Sequence, residues 1–366
     1  MRIILPLFLM IIALNSLKAS VITSPNGNLT LKNEQDTFFL YYNDCSINKI
    51  IPEGLTTDKR NNIVFWGIPE FIGSVKDEYE MITGKKSFCS NEANEYIYRN
   101  RDSVNNPIDL IVRLYNDGLA FRYKLRVNSE KILEEKTSFV IPEGSNRWIM
   151  KWRDSYEEFF TKHTTGKDYL NYHWAFPVLT ECSQNVFSLI SEAGLQKGHS
   201  ASSLINKKNP EIYEITYPKS EIRYNGDYFT PWRIIICGEL SSLIESTLVT
   251  DVSAPSTLSD TKWIIPGTVS WIYWANNHGS SDYDIICRYV DMAQDLNLPY
   301  MLIDAEWDEM KNNKTVEDAV NYSLKKGVKP LIWYNSSTGW IEGAPGPKFR
   351  LNDPEKRDKE FEWCEK

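Results

Sequence analysis

The sequence WIIPGTVSWIYW at residues 263–274 opens the stretch that decides the fold, and PYMLID at 299–304 and GVKPLIWY at 327–334 follow it. Between these short apolar runs lie two longer segments with helical spacing, DYDIICRYVDMAQDLN at 282–297 and TVEDAVNYSLKK at 315–326. Apolar runs of strand length that alternate with helices are typical of βαβ units and a parallel sheet. The stretch therefore predicts three parallel strands joined by right-handed crossovers, which begin either a barrel or a doubly wound sheet.

The first helical segment has one apolar side and one charged side. At a spacing of 3.6 residues per turn, Asp284, Arg288 and Asp291 fall on the side expected to face solvent. The side expected to be buried carries Ile285, Ile286, Tyr289, Val290, Met292 and Ala293.

Upstream of this stretch, from about Val21 to Pro255, the sequence has the pattern of an all-β domain. In PIDLIVRLYNDGLAFRYKLRV, at 107–127, two alternating strands flank the turn Asn116-Asp117-Gly118. Many short strands with a turn roughly every ten residues indicate a large β-sandwich. A Ser/Thr/Pro-rich connection within 239–262 is the natural domain boundary.

We expect three parts: a signal peptide at 1–19, a β-sandwich domain at 20–255, and the start of a (β/α)8 barrel at 256–366. A complete barrel takes about 250 residues. Three βα units cannot close one, so we expect the chain to be a truncated or split product of a longer enzyme.

The N-terminus and the charge indicate where the protein acts. Arg2 precedes the apolar run IILPLFLMIIAL, which ends in small residues near Ala19 and is short for a membrane span. This pattern predicts export to the periplasm or the medium, with no membrane span after cleavage; a retained anchor is the alternative. A net charge of -8 argues against nucleic acid as a partner.

Candidate chemistry lies just after the three predicted strands, because reacting groups of α/β folds sit at the carboxyl ends of their strands. Asp304, Glu306, Asp308 and Glu309 form the densest carboxylate cluster there. Paired carboxyl groups are what glycoside hydrolysis requires. The alternative is an acidic loop that caps the next helix. The tryptophans predicted at this edge, where sugars could stack, are Trp271, Trp274, Trp307, Trp333 and Trp340.

Metal and nucleophile motifs are scarce in the sequence. Four histidines without HxH or HExxH spacing and six scattered cysteines give no support to a zinc site. No GxSxG, P-loop or strand-linked GxGxxG motif is present. Glu192, at the end of the apolar strand NVFSLISEA, offers a carboxylate of the kind that calcium prefers, although from this residue alone a solvated strand end is the favoured explanation.

Several motifs together resemble glycoside hydrolase family 97. RLYNDGLAFRY at 113–123 is similar to the hallmark of that family, and the other similar motifs follow in the same order along the chain. These are SPNGNLTL at 24–31, SEAGL at 191–195, TPWR at 230–233, WIIPG with SWIYW at 263–274, YMLIDAEW at 300–307 and GVKPLIWY at 327–334.

The resemblance implies a β-super-sandwich packed on a (β/α)8 barrel and a secreted, calcium-assisted enzyme that hydrolyses α-glycosidic bonds in oligosaccharides. An α-glucosidase is the main expectation and an α-galactosidase the alternative. Glu192 is similar to the family's calcium ligand from the β domain. Catalytic carboxylates are expected beyond Lys366, which leaves Trp271, Trp274, Asp304, Glu306 and Trp333 as substrate-binding candidates.

Two other classes of function remain open from the sequence. One is a non-catalytic carbohydrate-binding protein built on the sandwich. The other is a complementing half whose barrel is finished by a second polypeptide. If catalytic residues do lie beyond Lys366, we expect these 366 residues alone to be inactive.

Overall fold

A computed structural model describes most of the chain, and the molecule divides into two compact units, Met1–Thr257 and Leu258–Lys366. The described residues are 19–61, 64–101, 107–153, 155, 157–164, 170–196, 198–199, 201–217, 222–277, 279–335, 346–347 and 353–365. Residues 1–18 of the predicted signal peptide, together with Trp340, lie outside them. No helix within the described ranges is both long and apolar enough to cross a bilayer.

Within the described residues, the first unit contains seventeen strands that hydrogen-bond into one continuous antiparallel network. The strands are β1 (Ser20–Thr23), β2 (Leu29–Glu34), β3 (Thr37–Tyr42), β4 (Cys45–Thr57), β5 (Glu70–Glu80), β6 (Phe88–Arg99), β7 (Ile108–Tyr115), β8 (Gly118–Glu130), β9 (Ile132–Val140), β10 (Arg147–Lys151), β11 (Thr161–His163), β12 (His173–Ser183), β13 (Val186–Ala193), β14 (Ser203–Ile205), β15 (Ile212–Thr216), β16 (Tyr224–Phe229) and β17 (Trp232–Gly238).

The predicted hairpin is present as β7 and β8, paired from Ile108 opposite Leu125 to Leu114 opposite Leu119. Glycine is required at position 118 because a Cβ there would lie 2.5 Å from the carbonyl oxygen of Ile235. The turn therefore confirms the sequence prediction, and its glycine also allows close packing against β17.

Strand β17 is buried along its whole length because a hydrophobic cluster covers each of its faces. Ile235 and Cys237 belong to the larger cluster on one face, and Ile234 and Ile236 belong to the smaller one on the other. Two short helices, α1 (Leu240–Glu245) and α2 (Leu248–Asp251), follow, and Leu243 and Leu248 pack into the smaller cluster. Arg233 shares the face of Ile235, so the chain places a charge inside the larger core.

Strands β5 and β6 were not predicted, and their composition explains why. Strand β5 reads EFIGSVKDEYE and contains no buried residue, only an alternation of half-buried and exposed ones. It pairs with β6 over ten residue pairs, from Glu70 opposite Ile97 to Glu80 opposite Phe88. On β5 the backbone ladder rather than a buried side-chain face defines the strand, and a hydrophobic pattern cannot reveal it.

The second unit has three parallel strands, β18 (Val269–Trp271), β19 (Tyr300–Ile303) and β20 (Lys329–Ile332), in that order in the sheet. Helix α3 (Tyr283–Asp295) connects β18 to β19, and α4 (Val316–Lys325) connects β19 to β20. A charged helix, α5 (Pro354–Cys364), follows. The first strand is shorter than the apolar run at 263–274 predicted.

Helix α3 buries Ile286, Val290 and Ala293, as predicted from its periodicity. The placement of Met292 on that side was wrong, because its side chain is 39 % exposed and lies at the edge of the apolar stripe. Helix α4 begins with a capping box, in which the Thr315 hydroxyl accepts the Asp318 N–H and the Asp318 carboxylate accepts the Thr315 N–H.

The structure thus shows a large antiparallel β domain followed by a short parallel β/α segment. Both features were predicted from the sequence. The larger architecture of a super-sandwich and a closed barrel is a finer statement that belongs with the proposed function.

Candidate functional site

The carboxyl ends of the three parallel strands lie side by side. The pairing aligns Trp271 with Leu302 and Ile303 with Ile332. Trp271, Asp304 and Trp333 therefore stand at or directly after neighbouring strand ends, along one edge of the sheet. This is the edge at which α/β folds place their reacting and binding groups.

A hydrogen bond from the Trp271 indole Nε1 to Asp304 Oδ2 joins the first two strand ends. Asp304 is only 7 % exposed, and its Oδ1 accepts the N–H of Ala305 at 2.6 Å. Its own N–H donates to the Ser280 hydroxyl at 2.8 Å. In the described part of the chain no cation pairs with Asp304, so neutral donors alone hold this carboxylate.

Trp271 also contacts Trp274, with ring centroids 4.6 Å apart and planes inclined at 48°. Trp274 is 84 % exposed. An indole left in water on a structured loop presents an apolar face, and aromatic faces of this kind suit the apolar face of a sugar ring. The structure thus brings together three of the predicted residues: Trp271, Trp274 and Asp304.

Glu306 lies two residues beyond Asp304 and is half-buried, with a φ of 68°. That left-handed conformation is uncommon for a residue other than glycine, and such residues concentrate at functional sites. Its N–H donates to the Gly346 carbonyl at 3.1 Å, and its carbonyl accepts the Glu309 N–H at 3.0 Å. These bonds fix the loop that follows β19.

Trp307 and Trp333 are linked through a backbone contact. The Trp307 Nε1 donates to the carbonyl oxygen of Trp333 at 2.8 Å, which joins the loops after β19 and β20. The Trp307 ring is 7 % exposed and packs against Tyr334 and Trp363, so it serves mainly to hold these loops together. Trp333 remains a partly buried candidate whose predicted role is untested.

The alternative explanation of the acidic loop does not hold. Helix α4 is capped by Thr315 and Asp318. Thr315 lies at least six residues beyond Asp308 and Glu309 in the chain. Asp308 and Glu309 instead occupy a single 3-10 turn, Trp307–Glu309. The cluster is therefore not a helix cap.

Glu192 lies in the first unit and forms a buried ion pair. The register of β13 and β17 places it directly opposite Arg233, and their side chains meet at 2.5 Å. Arg233 also donates two hydrogen bonds to Glu135, at 2.9 and 2.6 Å. Ser202 donates its N–H and hydroxyl to the two oxygens of Glu192, at 3.1 and 2.5 Å. One guanidinium thus bridges two carboxylates.

Burial by itself would lower the pKa of Arg233, but the charges and hydrogen bonds of Glu135 and Glu192 outweigh it and raise the pKa. Gly194 directly follows β13 with a φ of 66°, and a Cβ there would lie 3.0 Å from Trp232. The strand end that carries Glu192 is accordingly well defined by its neighbours.

These residues do not by themselves fit a calcium ion. Calcium takes about six to eight oxygen ligands. Glu192 already accepts three hydrogen bonds of the roughly four that a carboxylate accommodates. No cluster of three metal-binding side chains occurs among the residues that the structure describes. Calcium binding by Glu192 stays a prediction, as do catalytic carboxylates beyond Lys366.

Two contributors to these sites were missed from the sequence. Arg233 had a signal: a charge within WRIIICG, on the same strand face as Ile235, must be paired if that face is buried. Ser280 is 1 % exposed and had none, because its contact with Asp304 spans 24 residues of chain. Such a contact depends on tertiary structure.

Comparison with known proteins gives a consistent result. Residues 22–255 match the family model described as Glycosyl-hydrolase 97 N-terminal. The chain is 27 % identical over 309 residues to a probable retaining alpha-galactosidase of Streptomyces bingchenggensis, an alignment covering 78 % of this chain and 48 % of that protein. It is 23 % identical over 381 residues to a retaining alpha-galactosidase of Bacteroides thetaiotaomicron, covering 88 % and 56 %.

Among solved structures, a beta-arabinopyranosidase superposes with a TM-score of 0.77 at 25 % identity, covering 94 % of this chain and 60 % of that one. The chain therefore spans about half the length of the curated relatives that it matches.

Proposed function

This chain belongs to glycoside hydrolase family 97, and on that premise we propose that it is part of an enzyme that hydrolyses α-galactosidic bonds in oligosaccharides. Both curated relatives are α-galactosidases, which favours this activity over the α-glucosidase that the sequence motifs first suggested. Since both are retaining enzymes, the proposal includes retention of the anomeric configuration.

The solved beta-arabinopyranosidase suggests a second candidate substrate, an arabinopyranoside. A β-L-arabinopyranoside has the ring configuration of an α-D-galactopyranoside and lacks only its hydroxymethyl group. A site for either sugar therefore prefers an axial hydroxyl at C4, where glucose carries an equatorial one. An arabinopyranoside is the second candidate substrate.

The observation that carries the proposal is the Trp271–Asp304 pair at the carboxyl edge of the strands. Asp304, which has no cation partner among the described residues, can accept hydrogen bonds from sugar hydroxyls, and bonds to charged groups are the stronger ones. Trp271 and Trp274 would provide the adjacent apolar surface. In this proposal Glu306 and Trp333 line the same edge, and oligosaccharide is the partner of the site.

Three further features belong to the proposal. The β unit would form the family's super-sandwich and the parallel strands the first part of a (β/α)8 barrel. Glu192 would contribute one ligand to a calcium ion whose other ligands come from elsewhere in the protein. The N-terminal apolar run would direct export, so that the mature protein begins near residue 20, as N-terminal sequencing would reveal.

Calorimetric titration of the purified chain with methyl α-galactoside and methyl α-glucoside tests the function. We expect tighter binding of the galactoside, and we expect D304N to weaken it by about 10- to 150-fold because a hydrogen bond to a charged group is lost. Equal affinity for the two epimers, or an unchanged affinity in D304N, would refute the proposal. Methyl β-L-arabinopyranoside binding more tightly than the galactoside would favour the second candidate.

A further inference from the structure

A second concave surface lies beyond the Trp271–Asp304 pair, between the loop after β19 and helix α5. It encloses a volume of about 390 Å³, within the range of small-ligand sites. Its lining includes the indoles of Trp307 and Trp363, the carboxylates of Asp308, Glu317 and Glu360, and the Lys314 ammonium. We call this surface the Trp363 groove.

The two indoles of the groove are nearly parallel, with planes inclined at 10° and ring centroids 5.9 Å apart. At that separation the rings are offset, so each covers only part of the other. Trp307 is buried, whereas Trp363 is only partly buried. Trp363 is therefore the ring of the pair that can still contact a ligand.

Hydrogen bonds hold Trp363 and the carboxylates in place. The Trp363 Nε1 donates to Glu317 Oε1 at 3.1 Å, and the Tyr334 hydroxyl donates to Glu360 Oε1 at 2.8 Å. A carboxylate has about four acceptor positions, and Glu317 also interacts with Thr315 and with its own backbone N–H, which leaves it about one position. The groove thus combines a positioned aromatic ring with carboxylates that have acceptor positions to spare.

The groove is also close to the proposed sugar site. Asp304 and Asp308 are four residues apart, so their Cα atoms are separated by at most about 14 Å. A separation of this size is within the span of an extended oligosaccharide that has one unit beside Asp304.

We propose that the Trp363 groove binds a further unit of a neutral oligosaccharide whose terminal α-galactosyl unit contacts Asp304. This inference rests on the proposed function and extends it: the preferred ligand is longer than a monosaccharide glycoside. Stacking on Trp363 supplies the apolar contact, and Glu317 and Glu360 accept hydrogen bonds from the sugar hydroxyls.

The test compares raffinose, a neutral trisaccharide with a terminal α-galactosyl unit, with methyl α-galactoside in titrations of the full chain. We expect raffinose to bind the wild type more tightly by about tenfold or more, and W363A to lose about 10- to 100-fold in raffinose affinity, as expected for removal of a large apolar contact. Methyl α-galactoside affinity should change less than twofold in W363A.

The matched control is F361A, on the same helix, because Phe361 is 49 % exposed and does not line the groove. It should leave both affinities unchanged. W363F keeps an aromatic ring and should retain most of the raffinose affinity even if W363A disturbs α5. The inference is overturned if W363A binds raffinose like the wild type, or if F361A loses affinity equally. Failure of the wild type to bind either sugar would instead refute the proposed function.

Discussion

Glu192 in the β unit and Asp304 in the βα unit are both poorly exposed carboxylates at strand ends, yet their surroundings differ. Glu192 faces a fully buried guanidinium at 2.5 Å, and that guanidinium also binds Glu135. Asp304 accepts hydrogen bonds from an indole and a backbone N–H, both of them neutral. The first carboxylate shares a buried cation with Glu135, whereas among the described residues the second is held by neutral donors.

The contrast separates a structural role from a binding role. A buried charge that loses its partner is very costly, so the Arg233 network should matter mainly for stability. A carboxylate held only by neutral donors gains more from a ligand's hydroxyl groups, so Asp304 should matter mainly for binding. Substitutions in the two units test whether the Arg233 network affects stability and Asp304 affects binding.

The largest effect is expected for R233M, which leaves Glu135 and Glu192 buried without a cation. We expect the free energy of unfolding to fall by about 3–5 kcal/mol, measured by urea denaturation. The control is R99Q, because the Arg99 side chain is 54 % exposed and its ion pairs with Glu70 and Asp109 should contribute less than about 1 kcal/mol. Similar losses in the two variants would contradict the structural role of the network.

A more direct test compares the unfolding free energy and the galactoside affinity of E192Q with those of D304N. E192Q removes one charged hydrogen-bond partner of Arg233, so we expect a loss of about 1.5–3 kcal/mol in unfolding free energy and no change in galactoside affinity. D304N should show the opposite balance, with weakened binding and a smaller loss of stability. Its amide oxygen can still accept from one of the two donors, Trp271 or Ala305, while its amide nitrogen leaves the other without an acceptor. If both variants lose only stability, Asp304 is structural as well.

How far the sequence predicted these two regions depends on the kind of contact. The β7–β8 hairpin and the parallel strands were predictable because their hydrophobic patterns and the turn at Asn116 are local. Strand β5 was not, because none of its own side chains is buried. A hydrophobic pattern in the sequence reflects burial of side chains, so a strand without buried side chains carries no such pattern.

The same limit applies to the sites. Trp271 and Asp304 were predictable as neighbours, since each stands at the carboxyl end of a parallel strand. The pairing of Glu192 with Arg233 depends on the register of β13 and β17, which are separated by 38 residues from Ala193 to Trp232. The register between two strands so far apart in the chain cannot be predicted from local sequence patterns.

A smaller effect is expected at the capping box of α4, in the βα unit. T315A removes the hydroxyl that accepts the Asp318 N–H and should lower the unfolding free energy by about 1 kcal/mol. T315S keeps the hydroxyl and serves as the control, with stability close to that of the wild type. Affinity for methyl α-galactoside should be unchanged in both variants, since no described hydrogen bond joins Thr315 to Asp304. A binding defect in T315A would mean that α4 and the site are coupled.

The smallest effect concerns His199, a third polar group of the β unit. The Gln196 N–H donates to its Nδ1 at 3.0 Å, which leaves Nε2 to donate to the Phe229 carbonyl at 3.0 Å. Burial is the main reason that the pKa of His199 is lowered; the Phe229 hydrogen bond and the Glu192 charge raise it, while the charges of Arg233 and Arg122 lower it further.

An unfolded histidine has a pKa of about 6.5, so just below that pH the unfolded chain binds more protons at this position than the folded chain does. The contribution of His199 to stability is therefore complete above about pH 6.5 and declines as the pH falls toward the lower pKa of the folded state. Urea denaturation between about pH 7 and 5.5 should show this decline in the wild type and a weaker one in H199Q, which cannot titrate. Identical pH dependence in the two proteins would show that His199 takes up its proton in the folded state as readily as in the unfolded chain, and that its burial in the β unit has no consequence for stability.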